Sequence, residues 1–559
     1  MSAVRHWRAI AIVTALAANG CGLFVSDPDP VGANEAAGAD NATATAGSGN
    51  TGGALDSAAS ARAGTSAGGL LMGGAGGMSA LGGSAGKASA GAPSSNMPTG
   101  PNTDPECAAA VNIENDLKVY AGGEHSLVAN ALGNLTIYTT SNELADLRCL
   151  QSVGGSLSIQ LASGKLDALG RLLSVSGDLT ITGNATIQNL SAFRALGSVG
   201  GTLLIQANPA LQDLSGSLLG YVGAGLEVHG NTSLTSLHGL EGLDTLTAIR
   251  IGENPLLPSL DGLSNVSGRA TTVEITSNAA LSSVAALRGL LSIDALAITD
   301  NASLVDLAGL SVTQMNALYL SGNPNLEDLS GLEHVTELGG TELSYNSKLA
   351  NIDALAQLTE LTSFSIEASP ALSNVEGLSH VTSAESLTIK SCGVTTLNGL
   401  RNFESIDYLA LADTQIQDLV GLGKATLNQL ELDGNSALTS LAGLSPSNQE
   451  IANLTVENNP KLVDLSGLTM LHAVAQNFKL DSNVLLASLA GLEQLTTVDS
   501  FTLLNHPALT SLASLVSLDT IAGRAAFSDN PKLSNCEIQQ LVTACGATIV
   551  DLQNNGPCD

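Results

Sequence analysis

The chain has 559 residues, a length that ordinarily predicts roughly three or four globular domains. Only 3% of the residues are aromatic, which argues against several large cores, because aromatic side chains bury the most area each. The 51 acidic and 20 basic residues give a formal net charge of −31, so nucleic acid is excluded as an expected partner, since phosphate binding requires clustered Lys and Arg.

The N-terminus has the pattern of an export signal. Arg5 and Arg8 precede an apolar run over residues 9–18, which is too short to span a bilayer. Cys21 follows a small residue and resembles the lipidated Cys of bacterial lipoproteins, and Gly22 after it implies sorting to the outer membrane. We expect a signal peptide over residues 1–20 and an exported protein that reaches the membrane only through a lipid on Cys21. Cleavage after Ala17, which would give a secreted protein without a lipid, is the alternative.

A flexible linker follows the expected anchor. Between residues 31 and 100, 51 of 70 positions are Gly, Ala, Ser or Thr, and none is aromatic. Such a segment cannot bury enough apolar area to offset the entropy lost on ordering. The linker is therefore predicted to extend from Cys21 to residue 105.

The remainder of the chain is a repeat. One position recurs with a mean period of about 23 residues, typical of a solenoid in which each unit packs only against its neighbours. With two less regular copies that begin at Leu135 and Leu157, about 18 repeats are predicted over residues 135–533, between caps at 106–134 and 534–559. The recurring positions are Asn184, Asn208, Asn231, Asn254, Asn278, Asn301, Asn323, Asn346, Ser369, Cys392, Thr414, Asn435, Asn459, Asn483, His506 and Asn530.

Each unit predicts a strand, a turn and a short helical segment. In the unit Leu318 to Leu332, alternation around Leu320 indicates a strand with one buried face, and Asn323 is predicted to turn the chain and bond the backbone of adjacent coils. A helix-capping residue follows the turn, and a small residue three positions later permits close packing of coils. The capping positions are Asn189, Asp213, Ser236, Ser259, Ser283, Asp306, Asp328, Asn351, Asn374, Thr396, Asp418, Ser440, Asp464, Ser488, Ser511 and Asn535.

The repeats resemble two related families. The rhythm from Leu409 to Ile416 is similar to bacterial leucine-rich repeats of the internalin type, and the segments that begin at Val153 and Val199 are similar to receptor L-domain repeats. The resemblance implies an α/β fold: a right-handed solenoid with one long parallel β-sheet and short helical turns on the convex side.

The cysteines are consistent with an exported solenoid. Cys107 and Cys149 flank the first predicted strand and are expected to form a disulfide in the N-terminal cap. In the C-terminal cap, the resemblance suggests that Cys536 pairs with Cys558, while pairing of Cys545 with Cys558 stays open. Cys392 takes the Asn position of its repeat, so a structural role is expected for it.

No pattern in the sequence predicts catalysis, a cofactor or a metal. The chain lacks His-Glu-x-x-His, Cys-x-x-Cys, P-loop and EF-hand motifs, and its eight His residues share no metal-binding spacing. A row of calcium ions along Asp300, Asp433, Asp481 and Asp529 is conceivable, but Asp also suits a tight turn at these positions.

The remaining candidate site is the exposed face of the strand array. Tyr319, Glu342 and Tyr345 are predicted to lie on adjacent strands and form the best cluster, with His229 and Arg250 as further candidates. The other expected outward residues are Thr180, Gln206, Glu227, Glu274, Lys390, Glu431, Asp433, Glu457, Lys479 and Asp481.

Three hypotheses for the function follow from this layout. The first is a non-enzymatic surface lipoprotein, expected to be a monomer, that binds a protein or envelope glycan along the solenoid face, an inference by analogy of fold. The second is a polysaccharide-active enzyme on a parallel β-helix, which would need converging carboxylates. The third is an inert envelope spacer.

Overall fold

The computed structural model describes residues 105–120, 127–139, 144–161 and 166–558. The expected signal peptide, Cys21 and nearly all of the predicted linker lie outside these residues. Strands are numbered below in the order in which they occur along the chain.

The described residues form a solenoid of parallel strands. A large sheet runs through every coil, and each of its strands pairs in parallel with the corresponding strand of the coils before and after it. It consists of β2 (Leu117–Tyr120), β4 (Leu135–Thr139), β6 (Leu157–Leu161), β8 (Leu179–Thr182), β10 (Leu203–Gln206), β12 (Gly225–His229), β13 (Ala248–Gly252), β14 (Ser267–Thr276), β15 (Gly289–Thr299), β16 (Gln314–Ser321), β17 (Glu337–Ser344), β18 (Glu360–Glu367), β19 (Ser383–Lys390), β20 (Ser405–Ala412), β21 (Thr426–Asp433), β22 (Glu450–Glu457), β23 (Ala473–Asp481), β24 (Thr497–Leu504), β25 (Thr520–Ile521), β26 (Arg524–Ser528) and β27 (Thr548–Asp551).

The core is a set of leucine rows that run through the stack. Alternate strand residues such as Leu318 and Leu320 are fully buried, as are Leu326, Leu329 and Leu332 of the following turns. Burying such a side chain stabilises the fold by roughly 1.5–3 kcal/mol. The few buried aromatic rings also stack from coil to coil, and the ring centroids of Phe478 and Phe501 lie 5.1 Å apart. This arrangement explains why so few aromatic residues suffice for so long a chain.

Buried asparagine side chains connect successive coils. We call the recurring row that begins at Asn184 the asparagine ladder. From Asn184 to Asn323, each backbone N–H donates to the Oδ1 atom of the Asn in the next coil, at 3.0–3.1 Å. The Nδ2 group of each later member donates to a strand carbonyl of the preceding coil, as Asn278 does to Ile251 at 2.9 Å. The predicted role of this residue is confirmed.

The residue before each ladder position turns the chain in the left-handed region. Its φ is positive at Ala207, Glu253, Ser277, Asp300 and Tyr345, among others. Asn and Asp tolerate this conformation better than other residues with a side chain, and bulky residues rarely adopt it. A Tyr at such a turn therefore depends on the surrounding ladder to hold its backbone.

Four ladder positions carry residues other than Asn. The hydroxyl of Ser369 and the thiol of Cys392 donate to carbonyls of their own coils, at 3.3 and 3.1 Å. The ladder resumes where the N–H of Thr414 donates to Asn435. At His506 the ring is fully buried, and its Nδ1 has no hydrogen-bond partner among the described residues. Burial lowers the pKa of His506 to about 4, against an opposing effect of Asp481.

Many coils carry the predicted short helical turn, and it is 3₁₀ rather than α-helical. No such helix follows Asp213, Ser236, Asp306, Asp328, Ser440 or Ser488. The predicted capping side chain accepts from the N–H two residues later at Asn189, Asp213, Ser236, Ser283, Asp306, Asp328, Asn351, Asn374, Thr396, Asp418, Ser440, Asp464, Ser488 and Ser511. This bond closes the turn, but where a 3₁₀ helix follows, its N-cap is the next residue, such as Leu190 or Val284, which corrects the predicted capping position by one residue. The 3₁₀ helices span Pro105–Cys107, Ala145–Leu147, Asp167–Leu169, Ser191–Phe193, Asp261–Leu263, Ala285–Leu287, Asp353–Leu355, Glu376–Leu378, Asn398–Leu400, Val420–Leu422, Ser466–Leu468 and Ala513–Leu515.

The small residue after each cap is required by the packing of coils. A Cβ atom at Gly331 would lie 2.1 Å from the carbonyl oxygen of Leu307, and one at Gly467 would lie 1.9 Å from that of Leu441. Both distances are shorter than any real carbon–oxygen contact, so a larger residue would force the coils apart. The predicted reason for these small residues is confirmed.

The N-terminal coils contain a second, smaller parallel sheet that the repeat pattern does not predict. It consists of β1 (Val111–Ile113), β3 (Val128–Ala131), β5 (Ser152–Val153), β7 (Ser174–Val175), β9 (Ser198–Val199) and β11 (Tyr221–Val222). A glycine corner separates it from the large sheet, and a Cβ at Gly200 would lie 2.1 Å from the carbonyl oxygen of Ser176. Side chains also link the coils here, since Asp178 Oδ1 accepts from the N–H of Thr202 at 2.8 Å.

Disulfides close both ends of the described solenoid. Cys107 pairs with Cys149, as expected, and Cys536 pairs with Cys558, which resolves the alternative left open by the sequence. Cys545 is a buried free thiol that donates to the carbonyl of Leu518. The predicted C-terminal helix, α1, spans Asn535–Cys545, but Ser534 rather than Asn535 caps it, because the Ser534 hydroxyl accepts from the N–H of Cys536.

Replacing one member of the ladder tests its contribution to stability. Asn278→Ala leaves the N–H of Asn254 and the carbonyl of Ile251 without their partners. We expect the free energy of unfolding to fall by about 2–4 kcal/mol, because buried unpaired backbone groups carry the full cost of desolvation. Urea denaturation followed by circular dichroism measures the change. The exposed Asn316→Ala is the matched control and should change stability by less than about 0.5 kcal/mol. Equal effects of the two variants would contradict this role.

Candidate ligand-binding face

The outward-pointing residues of the large sheet form aligned rows, because every strand pairs in parallel register with the next. We call this surface the exposed sheet face. One row contains Glu227, Arg250, Glu274, Tyr319, Glu342, Glu431 and Lys479. The row two residues further along the strands contains Gln206, His229, Lys390, Asp433, Glu457 and Asp481. The structure thus places the outward residues expected from the sequence on one surface, with the exception of Tyr345.

Arg250 lies at the centre of an ion cluster on β12, β13 and β14. Its guanidinium lies 2.8 Å from a carboxylate oxygen of Glu227 and 3.5 Å from one of Glu274. Adjacent strands in register bring these three side chains together. Because two carboxylates already surround the guanidinium, Arg250 is a poor anchor for an anionic ligand.

His229 lies beside this cluster at the end of β12. Burial lowers the pKa of His229, the carboxylates of Glu227, Glu274 and Glu253 raise it, and Arg250 lowers it. The net shift is downward, so the imidazole is neutral at pH 7 and offers one donor and one acceptor to a ligand.

The predicted cluster of Tyr319, Glu342 and Tyr345 is only partly assembled. Tyr319 and Glu342 are register partners on β16 and β17. Burial raises the pKa of the Tyr319 hydroxyl, and Glu342 raises it further. Tyr345 is not on a strand, which corrects the prediction: it occupies the left-handed turn after β17, with φ of 58°, and the residue is 59% exposed. It lies at the rim of the exposed sheet face rather than in the rows.

A second cluster, on β20 to β23, was not singled out from the sequence. Tyr408, Gln429, Asn453 and Asn477 are register partners across four strands. The Tyr408 hydroxyl donates to Glu431 at 2.7 Å, and the Asn453 amide donates to Gln476 at 2.8 Å. The signal for this cluster was present as Asn and Gln at outward strand positions, but each residue alone looks like ordinary polar surface.

Lysines on the face are also paired with carboxylates. Lys479 forms an ion pair with Glu457 and lies 3.6 Å from Asp481, and Lys390 lies 3.7 Å from Glu367.

Within the described ranges, no group of three His, Cys, Asp or Glu side chains is arranged to hold a metal ion.

The aspartates considered for calcium bind amide groups instead. Asp433 Oδ1 accepts from Asn458 at 2.8 Å, Asp481 Oδ1 accepts from Asn505 at 2.8 Å, and Asp529 Oδ1 accepts from Asn554 at 2.7 Å. Asp300 and Asp529 occupy left-handed turn positions. Turn formation and hydrogen bonding between coils therefore account for these aspartates.

In the part of the chain that the structure describes, no helix has the length and apolar character to cross a membrane.

The chain is a leucine-rich-repeat solenoid in its fold. No protein-family model and no curated protein matches it. Among solved structures, it resembles TLR13 in a TLR13–ssRNA13 complex, with 15% identity over 76% of this chain and 74% of that one and a TM-score of 0.28. It resembles an internalin from Listeria monocytogenes with 13% identity over 74% and 84% of the two chains and a TM-score of 0.26. A leucine-rich-repeat protein from Leptospira interrogans gives 15% identity over 74% and 89%, with a TM-score of 0.27.

The electrostatics of the Arg250 cluster can be tested at His229. Removing the charge with Arg250→Gln takes away an effect that lowers the pKa of His229 and leaves the carboxylates that raise it. We therefore expect the pKa of His229 to rise, which a pH titration of its imidazole C–H signals by NMR would measure. Arg269→Gln is the matched control, since Arg269 pairs with Asp294, is not among the groups that shift the pKa of His229, and should leave that pKa unchanged. An unchanged or lower pKa in Arg250→Gln would contradict the arrangement.

Proposed function

We propose that the chain is a non-enzymatic, lipid-anchored protein of the outer membrane or cell surface that recognises a ligand, a protein or an envelope glycan, with its exposed sheet face. The observation that carries this proposal is the face itself. Side chains from more than a dozen coils are held in register on one open polar surface, while the packing and capping residues lie elsewhere. A solenoid of this kind supports recognition over an extended area by a monomer.

The charges on the face determine which partners fit. Arg250, Lys390 and Lys479 each have carboxylates within ion-pair distance, so the face offers little positive charge to phosphates. This supports the expectation that nucleic acid is not the ligand. The carboxylates of Glu227 and Glu274 are likewise occupied by Arg250, which does not favour the paired acid and base of a glycosidase. No cofactor is part of the proposal.

Blocking the face with bulky residues tests recognition against the inert-spacer alternative. Ala297→Trp, Thr388→Trp and Thr455→Trp together place large rings on three half-exposed positions of the row that contains Arg250 and Tyr319. We expect binding of the labelled full chain to intact cells or envelope preparations to weaken at least about tenfold, because each ring excludes a ligand from the surface.

The matched control carries Trp at Leu218, Val420 and Val516, which are exposed outside the sheet. It should bind as the unmodified chain does, and circular dichroism should show all three proteins folded. Absence of saturable binding would favour the spacer, and equal binding by both variants would overturn the exposed sheet face as the recognition surface.

The lipid anchor is tested at Cys21. Mass spectrometry of the mature protein should find acyl chains on an N-terminal Cys21, and fractionation should place the protein with the outer membrane. Cys21→Ser should abolish the acyl chains and release the protein in soluble form, while Cys392→Ser should leave both unchanged because Cys392 is buried in the solenoid. An unmodified N-terminus at residue 18 would instead indicate simple secretion.

A further inference from the structure

We propose that the second cluster on the exposed sheet face is a binding subsite for an uncharged oligosaccharide. The subsite consists of Tyr408, Gln429, Glu431, Asn453, Gln476, Asn477 and Lys479, which we call the amide subsite. It rests on the proposed function of the face and adds a class of ligand to it. The argument follows from the hydrogen-bonding groups, the backbone and the charges at this place.

Four side-chain amides form a connected network across β21, β22 and β23. Asn453 donates to Gln429 at 3.3 Å and to Gln476 at 2.8 Å, and Asn477 donates to Asn453 at 3.1 Å. An amide presents both donors and acceptors, and sugar hydroxyl groups do the same. The network holds the amides in place before a ligand arrives, so less side-chain entropy is lost on binding.

A bulge in β23 creates the densest part of this network. The register with both neighbouring strands shifts just before Asn477, so β23 contains nine residues where its neighbours contain eight. As a result, β23 has three consecutive exposed residues, Ala475, Gln476 and Asn477, where β22 and β24 each have two consecutive residues that are not buried. Bulges redirect side chains and concentrate beside functional sites. The bulge is thus an independent indication that this part of the sheet does more than continue the stack.

Tyr408 supplies an apolar surface at one end of the subsite. Its hydroxyl donates to a carboxylate oxygen of Glu431 at 2.7 Å. The residues two and four positions further along β20 are the small Ala410 and Ala412. Burial raises the pKa of Tyr408, and Glu431 raises it further, so the phenol stays protonated and keeps this bond. A fixed ring beside small residues can contact the C–H face of a sugar.

The charges disfavour anionic ligands and leave no unpaired cation. Lys479 is the only base among the seven residues of the subsite, and Glu457 and Asp481 neutralise it. Glu431 already accepts from Tyr408, and Asp481 accepts from Asn505. A protein ligand would require apolar or Arg anchors, of which the subsite offers Tyr408 alone. A neutral chain of sugars is therefore the ligand that these groups match best.

The proposal is tested with immobilised oligosaccharides of defined charge. The full chain with Cys21→Ser is applied to neutral glucans, mannans and galactans, to an anionic polyuronate and to a cationic polyglucosamine. We expect saturable binding to at least one neutral glycan. Gln476→Ala/Asn477→Ala should weaken it at least about tenfold, since several hydrogen bonds are lost together. Tyr408→Ala should weaken it similarly, and Tyr408→Phe should weaken it less, because the ring remains.

The matched control is Gln357→Ala/Gln494→Ala, which removes two exposed amides from turns outside the sheet and should bind as the unmodified chain does. Neutral-glycan binding that is equal in both double variants would overturn the subsite and leave recognition by the face intact. Binding to charged glycans only, or to none of them, would overturn the glycan proposal. The tryptophan-blocked variants on intact cells then judge the proposed function separately.

Discussion

The solenoid depends on the pairing of buried backbone groups between coils. Each turn after a strand carries N–H and C=O groups away from water, and the strands alone cannot pair them. In most coils the asparagine ladder pairs them with one side chain, which bonds backbone groups of the preceding coil and a carbonyl of its own coil. The ladder holds the left-handed turns at the strand ends, and the parallel pairing of the strands aligns the rows of the exposed sheet face.

The features that repeat could be predicted from local sequence patterns, because a position that recurs in many coils shows its preferred residue type even where single coils depart from it. The ladder, the caps and the small residue of each coil were predictable in this way. The pairing of Cys536 with Cys558 was not fixed by spacing, because Cys545 is nearer to Cys558 in sequence. The Cys545 thiol instead donates to the carbonyl of Leu518. The short second sheet was also missed, although the glycines at its corner, such as Gly200, are visible in the sequence.

The candidate site was harder to predict, since its features are departures from the repeat. Alternation places Glu342 and Tyr319 on the exposed face, but it does not show where a strand ends, so Tyr345 was assigned to a strand when it lies in the turn. The sequence does not reveal the bulge before Asn477, because the lengths of other repeats also vary by one residue where the strands have no bulge. Hydrogen bonds between side chains on different coils, such as that of Asn453 with Gln476, require the register that only the structure gives.

Within each coil, most residues that stabilise the fold are distinct from those that face outward, and this separation allows the scaffold to accommodate a binding site. Packing and hydrogen-bonding requirements fall on the buried strand residues, the ladder and the small residues of the turns. Most outward strand residues satisfy none of these requirements, with exceptions such as Asp433 and Asp481, which accept from amides of the next coil. The identity of the others is therefore free to serve a ligand. At the amide subsite this freedom extends to the backbone, because a bulge in β23 is tolerated while the ladder bond from Asn459 to Asn483 remains intact one turn away. Recognition on this face is therefore separable from the interactions that hold the coils together.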